Sequence, residues 1–183
     1  MTIIKQAIDD DVIYTLENTL DELLKDEMLI ELLNKKEILD TYIWGVPKST
    51  RNSNLIKEIC QGDIMIFGQK NKIKYIGEII ITSLDLNLRD EEPKLISNVF
   101  WAKDDYELLY FMKPVITVSG DMSNFNSYIG YNESAMFRGI SRVAKSDVKN
   151  VDDGKITILK LEMIVFLGKV LDDLLLQEID KDG

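Results

Sequence analysis

Between residues 42 and 143 the chain reads as short β-prone stretches separated by polar turns: YIWGV, IMIF, KIKYIGEIIIT, LLYFMKPVITV and MFRGISRV. Few segments between them have the length and periodicity of crossover helices, whereas both ends of the chain have helical texture. Short strands with helices gathered at the ends predict an α+β fold, a small barrel with helical flanks. Within KIKYIGEIIIT, apolar residues alternate at first and then run on without a break, as in a strand buried on both faces. Gly62-Asp63 reads as the turn into IMIF, and Pro114 as a bend or an edge position. LIKEI (55–59) predicts one short helix capped by Asn52 or Asn54. LDLNLRDEEPKL and SGDMSNFNSYIGYNES read as loops, and KSDVKNVDDGK as a turn.

The ends follow a different period. Leu16, Leu20, Leu23 and Leu24, then Met28, Leu29, Leu32 and Leu33, repeat at helical spacing over 8–39, as one helix or two joined near Lys25-Asp26. Ile158, Leu161, Val165, Leu171, Leu174 and Leu175 do the same in the tail. The expected organisation is a helical segment over 1–40 packed on a barrel over 41–150. A mostly helical segment over 151–183 belongs to the same domain. With 183 residues in all, the chain supports one sizeable core and not two large domains.

Composition removes whole classes of chemistry. There is no histidine and only one cysteine, so Ser-His-Asp and Cys-His catalysis are excluded, as are histidine or thiolate zinc sites. Cys60, in the apolar-flanked IKEICQGD, reads as a small buried core residue. A lone cysteine and the lack of a signal-peptide core predict a reducing cytoplasm. No apolar run approaches the ~20 residues of a membrane span. Neither GxxxxGK[ST] nor GxGxxG is present. Glu92-Pro93-Lys94 matches a nuclease Glu-x-Lys in letters only, because proline would break the strand that must carry it. Glu162, Asp172 and Asp173 read as solvated helix charges. No catalytic residue, metal or cofactor is expected.

The net charge of −10 argues at first against nucleic acid. Its distribution changes that reading: residues 1–40 carry net −7, whereas 41–80 and 136–150 each carry net +3. Two positive segments thus stand in a negative frame. Inside the first, Trp44 precedes the polar cationic run PKSTRNSN. The other tryptophan, Trp101, precedes AKDDY, so each large ring is expected where a strand meets a polar loop. The plain alternative is that both are core anchors whose N–H groups find partners.

The order YIWGVPKSTRNSNLIKEI, GDIMIFGQKNKIKYIGEII, SNVFWAKDDYELLYFMKPV resembles the EVE/YTH branch of the PUA-like superfamily. In that branch an early strand ends in tryptophan followed by a polar loop and a short helix. A Gly-Asp turn then leads to a strand with an xGx(V/I) pattern, here Ile76-Gly77-Glu78-Ile79. A second tryptophan follows, with another aromatic about five residues on. The resemblance covers about 42–118 well and 136–145 loosely. It implies a small PUA-like twisted barrel and a base-binding aromatic cage of Trp44, Trp101 and Tyr106. Ser49, Thr50, Asn52 and Asn54 would contact the base edge or its loop. Lys48, Arg51, Lys70, Lys72, Lys74, Arg138 and Arg142 would then contact phosphates.

Relatives of this kind read modified bases. YTH members bind methylated adenine in RNA, and EVE-like members occur as N-terminal specificity modules of McrB-type modification-dependent restriction GTPases. The resemblance therefore implies a non-catalytic module that flips a methylated adenine or modified cytosine of DNA into its cage. Its partners would be a GTPase domain, oligomer neighbours and a nuclease subunit, in an antiphage restriction system. Two further readings stand beside it. One is an RNA-binding PUA-like domain. The other is a protein-interaction domain in which the rings are core and the acidic helices make contact.

Overall fold

The computed structural model describes residues 2–8, 31, 38, 41–102 and 105–143. In chain order the elements are β1 (Ile3–Ala7), β2 (Tyr42–Val46), α1 (Thr50–Ile56), β3 (Ile64–Gln69), β4 (Lys72–Thr82), α2 (Glu91–Trp101), β5 (Leu108–Asp121), α3 (Met122–Tyr128) and β6 (Ile140–Arg142). The six strands form one curled mixed sheet in the order β2-β5-β4-β3-β1-β6. Only β1 and β3 run parallel; every other neighbouring pair is antiparallel. The expectations for the 8–39 helix (Ile8 and two single residues apart) and the tail lie outside the described residues.

Period-two alternation on β3 sorts the core into two layers. Ile64 and Ile66 join Ile3, Ile73, Ile76 and Val118 beneath α3, which contributes Met122, Phe125 and Tyr128. Met65 and Phe67 face the other way and join Ile4, Ile79, Trp44 and Leu109 beneath α2, which contributes Ile96, Phe100 and Trp101. β3 is thus covered on both faces, which explains its near-continuous apolar sequence.

Four sequence expectations are corrected. β1 was not separated from the N-terminal helical segment, yet Ile3–Ala7 is an interior strand paired with both β3 and β6. Much of LDLNLRDEEPKL is not loop: Glu91 begins α2, and Pro93 sits in its first turn, where the missing N–H breaks no intrahelical bond. Likewise β5 runs on through the first three residues of SGDMSNFNSYIGYNES and α3 occupies its middle. MFRGISRV keeps only the three residues of β6 as strand.

A buried carboxylate ties the start of the chain to this sheet. Asp63 accepts the Thr2 N–H at 2.6 Å through Oδ1 and the Cys60 N–H at 3.0 Å through Oδ2. It is 4% exposed. Asp63→Ala would strand both donors and is expected to cost about 3 kcal/mol in a urea titration. An unchanged midpoint would show that water replaces the carboxylate. Cys60 itself is exposed, not buried as its flanks imply, because it stands in the turn that presents its backbone to Asp63.

Candidate nucleic-acid interface

Trp44 lies on β2, directly opposite Tyr110 of β5. Trp101 is the last residue of α2, not the head of a strand, and Ala102 ends that helix in the left-handed conformation at φ 50°. The two indoles meet edge to face, with centroids 6.1 Å apart and planes at 81°. Tyr106 extends the cluster from Trp101 at 5.2 Å and 69°, and Phe67 extends it from Trp44 at 5.3 Å and 70°. Gly45 permits this packing. A Cβ there would lie 2.9 Å from Leu109 Cδ2, 3.0 Å from Tyr106 Cβ and 3.4 Å from the Trp101 ring.

The structure therefore brings the three expected cage residues together, but closed. Trp44 is 2% and Trp101 9% exposed. Their near-perpendicular planes leave no parallel-walled slot for a base. The expectation of open rings is corrected, for a physical reason: β2 turns Trp44 inward under α2, where Met65 and Phe67 also pack. Both indole nitrogens are buried without a hydrogen-bond partner among the described residues. Tyr110 differs in this respect. Burial, and secondarily the neighbouring Tyr106, raise its phenol well above the ordinary value. It remains protonated and donates to Gln6 Oε1 at 3.3 Å.

The polar loop after Trp44 is mostly engaged in helix capping. Ser49 is the N-cap of α1 and accepts the Asn52 N–H at 3.1 Å. Asn52 Nδ2 donates to the Pro47 carbonyl at 2.8 Å. The cap is thus Ser49, and Asn52 and Asn54 lie within the helix rather than capping it. Thr50 and Asn54 are exposed on α1.

The expected phosphate contacts divide into two groups. Lys48 pairs with Glu107 at 3.7 Å, Lys72 with Asp121, and Arg142 with Glu58 at 2.8 Å. Lys70 and Arg138 are exposed, and Lys74 is half-buried; none has a carboxylate partner among the described residues. Lys70 and Arg138 both lie toward the end of the sheet where β1 finishes. β1 finishes there with Ala7 N–H donating to Gly139 O and Ile8 N–H donating to Gly68 O, both at 2.9 Å. Arg51 joins them, its Nη2 donating to Ile140 O at 3.4 Å. Phe67, in contact with Trp44, lies on β3, the strand that runs into the turn holding Lys70. Gly68 is a strand-packing glycine, because a Cβ there would strike Phe137 at 2.6 Å, next to Arg138.

A separate cleft of about 370 Å³ lies between α1 and the segment entering α2, lined by Lys48, Ile56, Lys57, Leu84, Leu88 and Glu107 among others. Neither indole lines it. Among the described residues no three His, Cys, Asp or Glu side chains gather as a metal site requires. No described helix is long and apolar enough to cross a membrane.

No family model matches the sequence, and no curated relative does either. Among solved structures, the chain is similar to the N-terminal domain of McrB from Thermococcus gammatolerans bound to m5C DNA, at 22% identity and a TM-score of 0.59. The superposition covers 84% of this chain and 96% of that one. The curled six-stranded sheet and its helices thus have the small α+β fold of that McrB N-terminal domain.

Proposed function

We propose that this domain binds DNA carrying a modified base, and that it does so by taking the base out of the duplex into the Trp44–Trp101–Tyr106 cluster. The observation that carries this reading is the fold, which extends over nearly all of a domain bound to m5C DNA. The aromatic cluster and the open cations support it. Unstacking a base costs a few kcal/mol, and stacking on aromatic rings returns roughly 1–3 kcal/mol per base. An added methyl group enclosed by rings contributes about 0.8 kcal/mol more. Because the rings are closed in this structure, a base enters only as Trp101 and Tyr106 move off Trp44. Arg51, Lys70 and Arg138 supply a salt-dependent grip on phosphates that is indifferent to sequence. In this proposal the domain belongs to the EVE/YTH-like branch and performs no catalysis. It serves a McrB-type restriction GTPase, with oligomer neighbours and a nuclease subunit, in a cytoplasmic antiphage system.

Duplexes carrying one N6-methyladenine, one 5-methylcytosine or no modification, titrated at two salt concentrations, test the reading. Preference for one modified duplex, with weaker binding at higher salt, is the expected result. Equal binding of all three removes base recognition, and tighter binding of matched RNA would transfer the reading to RNA. Burial of both rings favours a second reading, a protein-interaction domain in which they only anchor the core. That reading is supported if no nucleic acid binds.

A further inference from the structure

Trp44 and Trp101 each keep an indole N–H inside the protein with nothing to donate to among the described residues. Buried donors are nearly always satisfied, and one left unpaired costs stability. Two such donors occur here, on rings whose centroids are 6.1 Å apart. Nearby polar groups are satisfied: Ser97 Oγ accepts the Tyr106 N–H at 3.1 Å, and Tyr110 donates to Gln6. Among the described residues the unpaired buried side-chain donors are thus confined to the two residues where base recognition is proposed.

We infer that Trp44 Nε1–H and Trp101 Nε1–H are the specificity-determining donors of the site, held for acceptor atoms of an inserted base. This rests on the reading given under Proposed function and adds to it a chemical selectivity. An indole nitrogen donates and cannot accept. An indole donor set against the Watson–Crick ring nitrogen therefore favours bases on which that atom carries no hydrogen, adenine at N1 and cytosine at N3. It disfavours guanine and thymine, whose corresponding nitrogens carry one. The methyl group of a modified base then adds ring contact without altering that acceptor. In the free protein the rings close on each other, so the unpaired donors make the empty site the less stable form. Ligand binding gives each donor a partner and separates the rings.

The chain has only two tryptophans, so its amide nitrogen spectrum contains two indole N–H signals. The labelled protein is titrated with duplexes carrying one N6-methyladenine, one 5-methylcytosine or no modification. Both indole signals are expected to move downfield, as hydrogen-bonded indoles do, with the duplex that binds tightest. Saturable shifts in backbone amides with both indole signals unmoved would overturn the inference and leave the DNA-binding reading standing. No binding by any duplex would overturn both. An isosteric replacement completes the test. Trp101 replaced by benzothienylalanine keeps the ring and substitutes sulfur for N–H. It is expected to lose about 10-fold in affinity for the preferred duplex while keeping or raising its melting temperature. Unchanged affinity, or a fall in melting temperature, would show that the N–H has a structural partner and no recognition role.

Discussion

Trp44→Ala is expected to destabilise the domain by about 3–5 kcal/mol, the cost of removing a large ring from a packed interior. Domains of this size are stable by only about 5–15 kcal/mol, so the variant should lie near the edge of folding. The ring is 2% exposed and touches both Phe67 and Trp101. Its loss opens the layer beneath α2 at a position the neighbouring strands cannot refill. A urea titration followed by circular dichroism measures the effect. A midpoint within error of the parent would mean that the ring lies outside the core in solution. Loss of DNA binding by an alanine variant would say little about recognition, so tests of the indole nitrogens use replacements that keep the ring.

Lys70→Glu with Arg138→Glu is expected to weaken binding to every duplex about 100-fold at low salt and to flatten the salt dependence by about two units of slope. Both cations are exposed near the end of β1, and neither has a carboxylate partner among the described residues. The comparison is Lys72→Glu with Arg142→Glu. Those heads already face Asp121 and Glu58, so reversing them should cost less than a tenth as much. Fluorescence anisotropy at about 50 and 200 mM salt distinguishes the pairs. Equal losses from both double variants would remove Lys70 and Arg138 from a privileged place in the footprint.

The strands legible in the sequence were those whose apolar runs lie between turn residues. Gly62-Asp63 opens β3, and the two residues Lys70 and Asn71 join it to β4, with Gln69 paired to Lys72. β5 was legible despite Pro114, because its register with β4 shifts beside that residue and no ladder donor is missed. β1 was hidden because IIKQA is short and its partners lie some sixty and a hundred and forty residues away, where no local pattern reaches. α2 was hidden by an acidic run and a proline that are ordinary for a first helical turn. That Trp44, Trp101 and Tyr106 would stand together was legible, but their burial was not. A tryptophan at the end of a strand reads the same whether it turns outward or under a helix that the sequence does not reveal. The unpaired indole donors were out of reach for a similar reason, since satisfaction is a property of surroundings rather than of residue type.

β1 takes its place between a strand made from residues 64–68 and one made from 140–142. A growing polypeptide therefore exposes this segment at the ribosome long before its second neighbour has been synthesised. Such distant pairing slows folding and prolongs the time that an unmatched backbone edge is open to other chains. Residues 140–143, which look like a modest afterthought in the sequence, decide when the nascent domain can complete its sheet.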